Sequence, residues 1–139
     1  MANVNRVEVR PDIDIHSDIV DLIVHYPPLK ADIHHIHIEV NGGVVVIHGH
    51  TRSPITRRYL LDAVGKVDGV QSVNADRFYD EETIRLEAGR VIPPGVLVNN
   101  RYGTLVLSGR LPEGTTLEQV VAAVSSVPGV ERVMTEFLP

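Results

Sequence analysis

Hydrophobic and polar residues alternate with a period of two in several short stretches of the chain, which is the pattern of half-buried β-strands. The first two stretches, IHIEV and VVVIHGH, flank Asn41-Gly42-Gly43, and Asn-Gly between alternating runs predicts a tight hairpin. The segments VQSVNADRF, VLVNN and VERVMTEFL predict further strands, and DIDIH near the N-terminus also alternates like a strand. The pattern therefore predicts several short strands joined by glycine-containing turns.

A helix is predicted before the first hairpin. Ser17 has the residue type of an N-cap, the pattern runs to about Tyr26, and Pro27-Pro28 stops it. Its apolar residues divide between a face toward the sheet and an opposite flank, which predicts burial on two sides. The sheet-facing set is Ile19, Leu22, Ile23 and Tyr26, and the flank holds Val20 and Val24.

Two more helices follow the hairpins. Ser53 predicts the N-cap of the first, with Pro54 at its first position, where a missing N–H has no cost. Thr115 and Glu118 form the T-x-x-E pattern of a capping box for the second. The helix ends are predicted at Asp68-Gly69 and Pro128-Gly129.

The chain repeats itself after a shift of sixty residues. VNGGVVVIHGHT then aligns with NRYGTLVLSGRL, and Gly69-Val70 aligns with Gly129-Val130, without a gap. Such a shift predicts two tandem copies of one structural unit. For the second copy, DEETIRLEAGR predicts either a first helix ending at Gly89 or a strand, because Ile84, Leu86 and Ala88 alternate.

The order helix–strand–strand–helix–strand, with a G-x-V-x-L-x-G hairpin and a helix ending in G-V-x-x-V, resembles the BON domain (bacterial OsmY and nodulation). The resemblance covers most of residues 17–139. It implies an α+β fold of two tandem αββαβ units, each a three-stranded sheet with helices packed on one face. The expected division is an N-terminal extension (1–16), a first repeat (17–79) and a second repeat (80–139). The resemblance also implies a non-enzymatic module that contacts phospholipid surfaces or other proteins, in envelope or stress contexts.

Composition narrows the class of protein. Of the 139 residues, 43% are hydrophobic and 22% charged, which is typical of a globular domain. The longest apolar runs are too short to cross a bilayer, and the N-terminus lacks a signal-peptide core, so the chain as given is expected in the cytoplasm. Envelope association is the expectation if a leader was removed. The absence of cysteine excludes disulfides and thiolate metal sites, and a net charge of −5 argues against nucleic-acid binding.

The segment HHIHIEVNGGVVVIHGH holds five of the seven histidines. Period two places His35, His37, His48 and His50 on one sheet face, opposite the apolar face that meets the helices. A turn at Asn41-Gly42 sets His35 opposite His48, whereas a turn at Gly42-Gly43 sets His35 opposite His50 and His37 opposite His48. Imidazoles at such distances can share a divalent metal such as Zn²⁺. The alternative is a contact face in which these histidines are the polar part.

Self-association is the favoured function. A unit of about 60 residues buries only about 60% of its unfolded surface, so packing against another copy supplies the missing core. The predicted interaction surface consists of Val44, Val46, Leu97, Val106, Val20 and Val24. We therefore predict a self-associating scaffold or adaptor, a homo-oligomer that also binds other proteins. The alternative is a phospholipid-binding module with Arg57 and Arg58 as the anionic-lipid contacts. No catalytic constellation is visible, and the one cofactor considered is a divalent metal at the histidines.

Overall fold

The computed structural model describes residues 9–139, so half of the predicted N-terminal extension, residues 1–8, lies outside the described residues. The chain forms two units, which we define as the first unit (12–80) and the second unit (81–137). The first unit consists of α1 (Asp12–His25), α2 (Pro27–Ala31), a 3₁₀ turn (Ile33–His35), β1 (Ile36–Asn41), β2 (Val44–Thr51), α3 (Pro54–Gly65) and β3 (Ser72–Asp80). The second unit consists of α4 (Glu81–Gly89), β4 (Val96–Arg101), β5 (Thr104–Gly109), α5 (Leu117–Ser125) and β6 (Arg132–Phe137).

Each unit contains one three-stranded sheet of the same topology. The strand orders are β1-β2-β3 and β4-β5-β6, and in both sheets the hairpin pair is antiparallel while the last strand joins in parallel. Helices cover one face of each sheet and bury a separate core. The first core includes Ile15, Ile19, Val45, Ile47, Leu60 and Val64, and the second includes Ile84, Ala88, Leu105, Leu107, Val120 and Val124. The predicted α+β fold of two αββαβ units is confirmed.

Helix α1 differs from its prediction. It begins at Asp12 and not at Ser17, so DIDIH is helical and the strand interpretation is wrong. The reason is burial: Ile15, Ile19 and Ile23 recur every four residues and lie together in the core, which outweighs the short alternation before Ser17. The helix therefore runs across the predicted border between residues 16 and 17. It ends at His25, and Pro27 begins the short helix α2.

The predicted helix starts are right for α3 and displaced by one residue for α5. The Ser53 hydroxyl accepts a hydrogen bond from the Thr56 N–H, and Pro54 is the first helical residue. In the second unit the capping box is formed by Thr116 and Gln119, not by Thr115 and Glu118. Thr115 belongs to the preceding turn, because its N–H donates to the carbonyl of Pro112.

Gly69 and Gly129 lie in the turns that lead from a helix to a closing strand, a few residues after the helices end at Gly65 and Ser125. Both have left-handed φ angles, 92° and 93°. A Cβ atom at Gly69 would lie 3.1 Å from Cδ1 of Ile15, and one at Gly129 would lie 2.7 Å from Cδ1 of Ile84. These matching contacts show that α4 occupies the position in the second unit that α1 occupies in the first, so the second unit has its own first helix.

The two units are joined without a linker. Asp80 is the last residue of β3 and also the N-cap of α4, where its carboxylate accepts hydrogen bonds from the N–H and the hydroxyl of Thr83. The predicted border between the repeats, at residues 79/80, lies one residue before this junction. None of the helices in the described part of the chain has the length and apolar character needed to cross a membrane.

Candidate functional site at the junction of the two units

The hairpin of the first unit turns at Gly42-Gly43, which is the second of the two predicted registers. His37 pairs with His48, and His48 aligns with Arg77 on β3, so these three residues form one row across the sheet. The rings of His37 and His48 stack with their centroids 4.8 Å apart. Strand pairing of β1 ends at Ile36, and His35 therefore belongs to the preceding 3₁₀ turn, not to the ladder.

His50 is buried where the second unit meets the first sheet. Its Nε2 atom lies 2.7 Å from the carbonyl oxygen of Gly129. Because a carbonyl can only accept, Nε2 carries the proton, and in the neutral ring Nδ1 is the acceptor nitrogen. That Nδ1 lies 3.8 Å from a carboxylate oxygen of Glu131. A Cβ atom at residue 103 would lie 2.6 Å from Nε2, so Gly103 is what allows the hairpin β4–β5 to approach the ring.

Tyr102 makes the second contact between the units. Its ring stacks on His35 with 3.5 Å between centroids and 7° between planes. Its hydroxyl donates to the buried carboxylate of Asp32 at 2.8 Å and accepts from Nε of Arg52 at 3.1 Å. Arg52 Nε also lies 3.2 Å from the same carboxylate oxygen of Asp32. Tyr102 adopts this position with φ 48°, the left-handed region that disfavours residues with a side chain.

Burial shifts the pKa values of the two stacked rings, His35 and Tyr102, in opposite directions. It lowers the pKa of His35, because the charged imidazolium is disfavoured in this environment, although Asp32 acts against the shift. Burial also raises the pKa of Tyr102, and the hydrogen bond to Asp32 adds to the rise because it favours the protonated hydroxyl. Both shifts favour the neutral form of the ring.

The four predicted histidines line one cleft of about 300 Å³ at this junction, which we call the histidine cleft. Its lining consists of His34, His35, His37, His48, Gly49, His50, Arg77, Tyr102 and Glu131. Over residues 9–139, no group of three or more His, Cys, Asp or Glu side chains is placed to hold a metal ion. The predicted metal site consequently has at most the stacked pair His37 and His48 to rest on, and it stays a prediction.

The predicted interaction residues lie on surfaces that the chain itself does not cover fully. Val44 and Val46 lie on the open face of the first sheet, and Leu97 and Val106 on that of the second, with Leu97 65% exposed. On α1, Val20 is half-buried and Val24 is exposed. Their role in binding remains a prediction.

The two arginines predicted to contact lipid have different surroundings. Arg57 donates from Nε to the carbonyl of Phe78 at 2.8 Å and lies over the Phe78 ring. Arg58 is exposed. Both arginines border a groove of about 830 Å³ between α3, β3 and α4. That groove also has four acidic residues in its lining: Asp62, Asp76, Asp80 and Glu87. Arg57 is therefore engaged by the fold, and the groove is more acidic than basic.

The sequence did not single out three residues of this region: Asp32, Arg77 and Tyr102. One signal was present. At the shift of sixty residues Tyr102 occupies the position of Gly42, so a bulky residue stands where the first hairpin uses glycine for a left-handed turn. A strained residue of this kind often indicates a contact that holds it in place.

Comparison with known proteins gives a family match in the first unit. A family model described as the BON domain matches residues 13–78, which supports the predicted resemblance for that unit. The same resemblance for the second unit stays a prediction. No curated protein matches the chain at a significant level.

Two solved structures share the fold of the whole chain. One is the C-terminal domain of CdsD, the structural protein of the type III secretion system of Chlamydia trachomatis, with a TM-score of 0.76 and 17% identity. The match covers 96% of this chain and 70% of that one. A second structure of CdsD gives a TM-score of 0.72 at 16% identity and covers 92% of this chain and 63% of the other. At such identities the likeness concerns the fold alone.

Proposed function

We propose that the protein is a non-enzymatic assembly module and that the open face of its second sheet binds the same face of a second copy. The observation that carries this proposal is the arrangement of side chains on that face. Leu97, Val106 and Met134 project from adjacent strands, and Leu97 and Met134 are 65% and 44% exposed. Large apolar side chains gathered on one uncovered face are typical of a surface that binds a partner.

The charges on this face are complementary to a copy of itself. Arg101 and Arg132 lie in the row at the hairpin end, and Glu136 lies in the row at the opposite end, beside Leu97 and Ser108. Two copies related by a two-fold axis, with antiparallel strands, place the arginines of one copy near Glu136 of the other. An interface that pairs one patch with itself is the usual form of a homodimer contact.

The size of the face predicts weak association. Three strands of six residues span about 20 Å by 14 Å, or roughly 300 Å² per copy. Stable complexes bury about 800 Å² per partner, so this contact alone is expected to be reversible and dependent on concentration. The BON match in the first unit and the fold shared with a structural protein of a secretion system support an assembly role over catalysis.

Sedimentation velocity over a range of concentrations tests the proposal. Leu97→Asp places a charge on the apolar part of the face in each copy and is expected to weaken dimerisation by about 100-fold, since each Leu contributes about 1.5 kcal/mol or more. Leu86→Asp is the matched control, because Leu86 is 59% exposed on α4, away from the sheet face. It should leave dimerisation unchanged.

Reversing the charges of two residues distinguishes binding to a second copy from binding to a different partner. Glu136→Arg is expected to weaken self-association, and adding Arg132→Glu should restore part of it, because the attraction between copies is re-formed with reversed signs. A chain that stays monomeric at every concentration would contradict the proposal, as would association that Leu97→Asp and Leu86→Asp affect equally.

A further inference from the structure

The histidine cleft is lined by more potential cations than anions. Arg77 and five histidines border it, and Glu131 is the one carboxylate in the described lining. A carboxylate oxygen of Glu131 lies 3.8 Å from Nδ1 of His50. Arg77 is therefore the one side chain of the described lining with a permanent positive charge, on a chain whose net charge is −5.

The floor of the cleft is the row His37–His48–Arg77. Neighbouring strands lie about 4.8 Å apart, so one small ligand can reach all three side chains. Within residues 9–139, Arg77 forms no salt bridge and no side-chain hydrogen bond. Its guanidinium donors are therefore available to a ligand.

These groups suit an oxyanion better than a metal ion. A metal bound by His37 and His48 would lie next to the permanent positive charge of Arg77, which repels it, and no third ligand is placed nearby. An oxyanion gains from the same charge, because a guanidinium binds phosphate or carboxylate oxygens through two parallel hydrogen bonds. Imidazole adds one N–H donor when neutral and two when protonated.

We propose that the histidine cleft binds a small oxyanion of the phosphate type, with Arg77 as the main contact and His37 and His48 as further donors. Its volume of about 300 Å³ is at the lower end of ligand pockets, which suits a phosphate or a phosphate monoester. Its position at the junction of two units is a common one for ligand sites. Tyr102 and His35 close the side that faces the second unit.

Acidic groups near the row limit the affinity. Glu39 and Asp76 border the adjoining depression, which shares His48 and Arg77 with the cleft. Glu131 stands on the opposite side. Because these carboxylates repel an anion, binding is expected to be weak and to depend on the charge of Arg77.

Titration of the intact protein with inorganic phosphate and with sulfate, followed by NMR of the histidine rings, tests the proposal. The rings of His37 and His48 should shift to saturation. Arg77→Gln should weaken binding by about tenfold or more, since a charged hydrogen-bonding group is removed. Arg110→Gln is the matched control, because Arg110 is exposed at the end of β5 in the second unit, away from the cleft.

Vesicles that contain phosphatidic acid distinguish a soluble ligand from a lipid headgroup. Saturable phosphate binding together with vesicle retention that Arg77→Gln abolishes identifies the headgroup as the source. Phosphate binding without retention identifies a soluble anion, and both results keep the site. The proposal is overturned if the phosphate response does not saturate, or if Arg77→Gln and Arg110→Gln bind alike. Saturable Zn²⁺ binding that exceeds the phosphate response and persists in Arg77→Gln would also overturn it, in favour of a metal role.

Discussion

Removing the hydroxyl of Tyr102 is expected to destabilise the junction of the two units. Tyr102→Phe keeps the ring stacked on His35 and the backbone of the turn, but it deletes one hydrogen bond to the buried carboxylate of Asp32 and one from Arg52. A hydrogen bond to a charged group contributes about 1.5–3 kcal/mol. Asp32 keeps its two contacts with Arg52, at Nε and at the backbone N–H, and Tyr102 is only half-buried, so the lower figure applies.

We therefore expect the free energy of unfolding to fall by about 1.5 kcal/mol in Tyr102→Phe, measured by urea denaturation at neutral pH. Tyr59→Phe is the control, because Tyr59 also stacks, on Tyr26, but its hydroxyl has no hydrogen-bond partner among the described residues. It should change stability by no more than about 0.5 kcal/mol. Equal effects of the two substitutions would refute the reasoning, and so would a gain in stability from Tyr102→Gly, which would mean that strain at φ 48° outweighs every contact of the side chain.

Two further predictions concern the same junction. Gly103→Ala should destabilise the protein more than Gly42→Ala in urea denaturation. Both residues have positive φ, but a Cβ at residue 103 would lie against His50, whereas nothing lies within 4 Å of a Cβ at residue 42. Equal losses of stability would mean that the backbone conformation alone is responsible. The pKa of His35 is lower in the folded protein than in the unfolded chain, where it is about 6.5. Above this pH the ring is neutral in both states and does not reduce the free energy of unfolding. As the pH falls through about 6.5 toward the folded pKa, the unfolded chain binds the proton more readily, and stability is lost. The free energy of unfolding should therefore decrease from about pH 6.5 downward, and less steeply in His35→Gln; identical slopes would show that other groups cause the decrease.

The repeat and the alternation of residues predicted the elements and their order, and the resemblance to the BON domain implied how these elements pack. Paired apolar positions such as Val45 and Leu105 recur at the shift of sixty residues, and both lie in the cores of their sheets. What failed was local: the pattern from Asp12 to His16 is too short to tell a strand from a helix, and only burial against the sheet decides for a helix. For α5, adjacent threonines offered two equivalent caps, and the turn at Pro112 selected the second.

The junction could be predicted only in part, because it depends on how the two units meet. Period two predicted a common sheet face for His37 and His48, and one of the two turn registers left open paired them, since both relations are internal to one hairpin. It could not show that His50 would be buried against Gly129, or that Tyr102 would reach Asp32 from seventy residues away. Contacts of this kind follow from the relative position of two cores, which no local pattern encodes.

The continuous passage from β3 into α4 has a mechanical consequence. Asp80 closes the strand and caps the helix at once, so the chain has no slack at this point, and tension applied to one unit passes directly from strand to helix. The contacts of His50 and Tyr102 tie the hairpin of the second unit to the opposite side of the junction. Bending at this junction would have to break these contacts, so we expect the passage from β3 to α4 to resist bending instead of acting as a hinge.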